Sequence, residues 1–246
     1  MTDLGQVAGL WRYPVSSLAG QPMQALSFGP DGAEGDRGYG LFDVASGIVA
    51  APDRNPAKWD RAPRVRTRLS EGGGLEVRTP DGEWLTAPDA ASDAEIGDYL
   101  GFEVAVRPYT DAAPQLADGS TVAPRYRKAP VHLLTTASLA RLKALHPDGD
   151  PDPRRFRPSI LVAMPEVEGE FPESAWLGRR LAIGDLELTV SEPCRRCGFT
   201  VIAQDGFDND PGILRTLVRH NGHNIGVYCT VDRPGRIREG DTLRFL

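Results

Sequence analysis

Leu181-Ala182-Ile183-Gly184-Asp185-Leu186-Glu187-Leu188-Thr189-Val190 runs directly into Ser191-Glu192-Pro193-Cys194-Arg195-Arg196-Cys197-Gly198-Phe199-Thr200. The first half alternates apolar and polar residues, the period of a half-buried β-strand. The second half places two of the chain's three cysteines around two arginines. A thiolate is a nucleophile and a soft metal ligand, and nearby cationic charge favours it over the thiol. The segment therefore predicts a strand that ends by presenting sulfur in an electropositive setting.

Short β-like runs surround it. Val7–Val15, Met23–Phe28 and Tyr39–Val44 are strand candidates, with Gly47–Ala50 as a hairpin return. Val65–Leu69 and Leu75–Thr79 flank Glu71-Gly72-Gly73-Gly74, a hairpin tip. Asp93–Leu100 reads as a short helix with an Asp cap, followed by the strand Val104–Arg107. Thr110–Arg127 is polar and reads as a connection. Beyond it, Val131–Leu134 is a strand, Thr135 caps a helix through Leu139, Leu142 and Leu145, and Ser159–Ala163, Thr200–Ala203, Asn224–Val231 and Thr242–Leu246 are further strands. Pro211–His220 suits a helix capped by Asp210, and Gly235–Gly240 a tight turn. This predicts an α+β, mainly β protein, with one β-barrel module over 1–110 and a second over 111–246.

Composition narrows the functional classes. With 27 Gly and 21 Pro in 246 residues, turns are frequent, which favours many short strands. A net charge of −6 argues against a nucleic-acid partner. No apolar run approaches the ~18 residues of a spanning helix, so no membrane partner is expected. Three cysteines do not suggest a secreted disulfide framework, and a reducing cytoplasm is the expected location.

Four readings of Cys194 and Cys197 stand beside one another: two small core residues, half of a zinc site completed by His220, His223 or Cys229, a redox pair, or a single thiolate ligand to a soft metal held in an anionic cofactor. The last needs cations and backbone donors elsewhere. Arg37, the helix start at Thr135-Thr136, and Arg157 could supply them. Asp205, Asp208 and Asp210 superficially suggest a calcium loop, but Thr216 stands where the closing glutamate belongs. The four tryptophans read as core residues rather than substrate stackers, with Trp59 the candidate exception, because its loop could border a substrate opening.

Several ordered motifs resemble the MOSC family, named after the C-terminal domain of molybdenum-cofactor sulfurase. They are Leu10–Gly20, Gly35-Asp36-Arg37-Gly38-Tyr39, Leu134–Leu139, Phe156–Ile160, Pro193–Cys197 and Pro234–Asp241. More narrowly, the chain resembles the architecture with an added N-terminal β-barrel domain, as in the mitochondrial amidoxime-reducing component and its bacterial relatives. The resemblance implies that Cys197 is the molybdenum ligand and catalytic residue. It also implies that Ser17, Arg37, Thr135, Thr136, Ser138, Arg157 and Ser159 line the pocket of the molybdenum cofactor. Two positions depart from the pattern: Ser16 stands where relatives commonly carry Lys, and Ser159 where they commonly carry Asn.

The activity implied is reduction of N-hydroxylated or other N-oxygenated small molecules. The chain has no flavin, haem or four-cysteine iron–sulfur motif, so an external electron-transfer protein is expected as partner. Pyridoxal phosphate binding is a further family-level label. Rival readings are a cofactor carrier or sulfuration module without reductase activity, an enzyme using Cys197 for chemistry without molybdenum, and a zinc-stabilised β-domain.

Overall fold

The computed structural model of the chain describes residues 3–109, 131–166 and 170–246. The connection expected over Thr110–Arg127 lies outside the described residues. The first strands are β1 (Asp3–Arg12), β2 (Gln21–Met23), β3 (Ala25–Gly29), β4 (Gly32–Ala33) and β5 (Tyr39–Asp43). Then come α1 (Pro56–Trp59), β6 (Arg66–Leu69), β7 (Leu75–Arg78), β8 (Leu85–Ala87), α2 (Ala90–Leu100) and β9 (Val104–Pro108). The rest comprises β10 (Val131–Thr135), α3 (Thr136–Leu145), β11 (Ile160–Ala163), β12 (Arg180–Ile183), β13 (Leu186–Arg195), α4 (Pro211–Asn221), β14 (Asn224–Arg233), β15 (Gly235–Arg238) and β16 (Thr242–Phe245).

Seven strands close a barrel in the order β11-β10-β14-β13-β12-β16-β1, with β1 pairing back onto β11. Every neighbouring pair is antiparallel except β10 and β11. A parallel pair needs a crossover connection, and α3 supplies it. Alternation fills the barrel: Leu186, Leu188 and Val190 of β13 point inward, against Leu10, Leu133, Val162, Val227 and Leu243. The mainly β fold with short helices agrees with the expectation from sequence.

A second core lies outside the barrel. Val15, Leu18, Leu41, Trp59, Val65, Val77, Ile96 and Val106 pack together beneath β5–β9 and α2. Val7, Leu10, Leu26, Phe28 and Ala33, from the first part of the chain, pack into the barrel core. A third cluster joins Leu142 of α3 to Ile213 and Leu217 of α4, on the outer face of the barrel, with Phe156 and Ile225.

Five local expectations need correction. Leu181–Val190 is two strands, because Gly184 adopts φ +54° and turns the chain into a hairpin. Thr200–Ala203 is not a strand: the Cys197 carbonyl accepts from the Thr200 N–H (3.2 Å) and hydroxyl (3.0 Å), curling Gly198–Val201 into a 3₁₀ turn. Gly235–Arg238 is a strand, paired with β3, and only the residues after it turn. Helix α2 begins at Ala90 with Asp89 as cap, because Asp93 instead accepts from Val106 N–H and Arg107, both at 2.8 Å. Trp59 borders no opening: it is 2 % exposed and packs edge-on against Phe102.

Candidate functional site

Strand β13 delivers the two cysteines into different surroundings. Cys194 is buried, and Arg196 donates from Nη1 to its sulfur (2.6 Å) and from Nη2 to the Phe156 carbonyl (2.7 Å). The strand ends at Arg195, and Cys197 beyond it is exposed. One side of the Cys197 sulfur is nevertheless covered by protein, and this desolvation pushes its thiol pKa up. The Phe199 N–H and Arg196 pull it down, while the Asp53 carboxyl beside the sulfur raises it further. This corrects the expectation of a thiolate favoured by flanking arginines: Arg195 is exposed and Arg196 is turned toward Cys194.

Beside this loop, cations gather around Tyr13. The Arg157 guanidinium lies 4.0 Å and that of Arg37 5.4 Å from the centre of its ring. Arg157 also donates to the Leu18 carbonyl, and Arg37 pairs with Asp36. Asp36 accepts from the Tyr13 N–H (2.6 Å), and the Tyr13 hydroxyl donates to the Pro158 carbonyl (3.2 Å). His132 adjoins the cluster, with Nδ1 3.3 Å from the Arg157 carbonyl. Burial, then the charges of Arg196 and Arg37, hold its pKa down at about 3, so the ring is neutral at physiological pH.

Backbone conformation marks the same place. Among the described residues, four non-glycines have positive φ: Ser17 (68°), Arg37 (51°), Arg157 (53°) and His223 (73°). Three of them are pocket residues expected from sequence, and the His223 carbonyl accepts from the Arg196 N–H (2.8 Å). Such conformations cost of order 1–3 kcal/mol each and persist where surrounding structure over-determines them, commonly at functional sites. Buried polar atoms without partners lie on the same segments: Ser16 Oγ, Ser159 Oγ and Arg196 Nε. Buried polar groups are ordinarily hydrogen-bonded, so this group of exceptions signals a missing donor or acceptor.

The helix start is built differently. Thr135 caps α3 as expected, but its hydroxyl donates to Glu173 Oε2 (2.8 Å), and that of Ser138 donates to the same oxygen (2.6 Å). The Gly226 N–H donates to Glu173 Oε1 (3.0 Å). Gly226 is required there: its φ is +75°, and a Cβ would sit 2.3 Å from His132 Nε2. Thr136 hydrogen-bonds the backbone of Met164, and the Ser17 hydroxyl donates to the Ala50 carbonyl (2.8 Å).

The structure thus brings Arg37 and Arg157 together around Tyr13, while the Thr135 and Ser138 hydroxyls are engaged by Glu173. Sequence reasoning missed Tyr13, Asp53, His132 and Glu173. Glu173 carried no signal, being one acidic residue in an irregular segment, whereas Tyr13 lay inside a quoted motif. Cys229 faces the barrel core opposite Val190, and Asp210 caps α4 while Asp205 pairs with Arg66. The described residues include no cluster of three or more metal-ligating side chains. No helix among them is long and apolar enough to cross a membrane.

A sequence model of the MOSC domain matches residues 111–244. Among solved structures, YuaD from Bacillus subtilis is similar over 97% of this chain and 93% of that one, at 13% identity and a TM-score of 0.50. This likeness concerns the fold. YiiM from Geobacillus stearothermophilus is 16% identical over 48% of this chain and 54% of its own, with a TM-score of 0.36. No curated protein matches.

Proposed function

The chain belongs to the MOSC domain family, and from that premise we propose that it is an oxidoreductase holding molybdenum cofactor through Cys197. Its substrates are N-hydroxylated or other N-oxygenated small molecules. For a hydroxylamine, the N–O bond breaks, two electrons and two protons are consumed, and an amine and water leave. The electrons come from a separate electron-transfer protein. The cofactor supplies the redox chemistry; the chain supplies binding and orientation.

The observation carrying this reading is the gathering of left-handed residues, guanidiniums and unpartnered buried polar atoms next to an accessible sulfur. That donor set suits a large anionic ligand rich in hydrogen-bonding groups. Arg37 and Arg157 hold its phosphate, and Arg196 Nε, Ser16 Oγ and Ser159 Oγ provide further hydrogen bonds. Cys197 must lose its proton on ligation, a loss that the Asp53 carboxyl beside the sulfur opposes and the Phe199 N–H and Arg196 favour. Thr135 and Ser138 act through Glu173, fixing the start of α3. A reducing cytoplasm keeps Cys197 available.

The test is to prepare the protein from a molybdenum-replete host, with and without Cys197→Ser. Molybdenum is measured, together with hydroxylamine reduction driven by a dithionite-reduced viologen dye. The proposal expects bound metal and turnover, both lost in Cys197→Ser. Metal without turnover turns the reading into that of a carrier, and Cys197-dependent activity without molybdenum turns it into other thiol chemistry.

A further inference from the structure

A well-formed cleft lies away from Cys197. It has a volume of about 520 Å³ and opens between the β1–β2 edge of the barrel and the β6–β8 sheet, within the range that accommodates small organic ligands. Cys197, Arg37 and Arg157 are not among its lining residues; Tyr13 is the one residue it shares with the cationic cluster. Trp11 and Trp84 supply aromatic surface, and the Arg68 guanidinium lies 4.1 Å over the Trp84 ring. A flat guanidinium on an indole offers a stacking platform for another planar group.

The charge is predominantly positive. Four arginines line the cleft, against one carboxylate, Asp205. Arg66 pairs with Asp205, Arg68 with Glu76 and Arg154 with Asp152, while Arg64 makes no ion pair among the described residues. A second observation points to a ligand. Gln204 lines the cleft, is 8 % exposed, and has a side-chain Nε2 without a hydrogen-bond partner. The other glutamine in the lining, Gln21, is fully engaged: its Oε1 accepts from Arg12 (2.8 Å) and from the Leu69 N–H (3.0 Å), and its Nε2 donates to the Leu69 carbonyl (3.4 Å). A buried amide donor left open is costly unless something accepts from it.

We propose that this cleft is a second ligand site, independent of the molybdenum reading, for a planar aromatic molecule carrying a phosphate or a carboxylate. The ring stacks on the Arg68–Trp84 platform, Arg64 and Arg66 meet the anion, and the Gln204 amide donates to a ligand acceptor. Adenosine 5′-monophosphate and 2-naphthoate represent the two sources of anion. Adenosine and inorganic phosphate each carry half of the chemistry.

Isothermal titration calorimetry on the full chain decides it. Saturable one-site binding of the monophosphate, of the naphthoate, or of both is expected, with adenosine and phosphate at least tenfold weaker. Arg64→Glu, an exposed position that leaves the fold intact, and Gln204→Leu should each weaken binding at least fivefold. The proposal is overturned if neither aromatic anion binds, if inorganic phosphate binds as tightly as the monophosphate, or if binding ignores Arg64→Glu.

Discussion

The start of α3 and the loop after β13 carry similar polar side chains, yet they are built in opposite ways. At the helix start, two hydroxyls and one backbone N–H converge on the two oxygens of a buried carboxylate. Around the cysteine loop, two buried hydroxyls and a guanidinium nitrogen have no partner, and the sulfur is open. A closed network of this kind stabilises the fold; an open one leaves a cost that a ligand can recover. The difference separates residues that hold the site in place from residues that meet what it binds.

The sharpest way to break that comparison is Glu173→Ala. It removes the acceptor of three buried donors, each worth on the order of 1 kcal/mol, so a loss of about 3 kcal/mol or more is expected in urea denaturation. Burial raises the Glu173 pKa above the ordinary carboxylate value, outweighing its hydrogen bonds. The folded state therefore binds the proton more tightly than the unfolded state. The stability this adds is fully present below the ordinary carboxylate pKa and is lost as pH rises through the raised one. Glu173→Gln should flatten that pH dependence. If stability is indifferent to both changes, the network is not the brace described.

Cys197→Ser probes the open region. The sulfur is exposed, so the expected change in stability is within about 0.5 kcal/mol, while molybdenum retained by purified protein should fall at least tenfold. Cys194→Ser should behave in reverse, destabilising the fold, because a buried sulfur that accepts from Arg196 is replaced by a smaller, more polar atom. Equal effects of the two substitutions on metal content would remove the distinction between them.

Much of this was legible in the sequence, for physical reasons that vary by element. The alternation in β13 and the cap at Thr135 are local, and local patterns survive folding. The family motifs also pointed to Arg37 and Arg157, and both reach the same aromatic ring. What stayed hidden depends on contacts distant in sequence. Glu173 meets Thr135 and Ser138 across more than thirty residues, and nothing in either segment announces the other. Asp53 beside Cys197 is a still longer contact. Trp59 misled because a polar loop sequence does not reveal that its aromatic ring turns inward.

A smaller effect compares one chemical change in the two regions. Ser138→Ala removes a hydroxyl that donates to Glu173 and should cost about 1–2 kcal/mol. Ser159→Ala removes a buried hydroxyl without a partner and should be neutral or stabilising by about 1 kcal/mol in protein freed of ligand. Differential scanning calorimetry on the pair reads the sign directly. Similar losses at both positions would mean that Ser159 is satisfied after all.

The smallest expected effect is at Asp53. Its carboxyl holds the Cys197 thiol pKa up, by charge and by hydrogen bonding, on top of the larger contribution of desolvation. Asp53→Asn removes the charge, so the thiolate fraction near neutral pH should rise and alkylation of Cys197 by iodoacetamide should quicken a few-fold. Cys194 and Cys229 are buried and do not compete for the reagent. In Asp53→Asn the rise of rate with pH should move to lower pH. An unmoved profile would show that the carboxyl does not reach the sulfur. The change is modest because water reaches one side of Cys197 and screens the charge. At Glu173 no water does so, and the same loss of a carboxylate is felt in the stability of the whole fold.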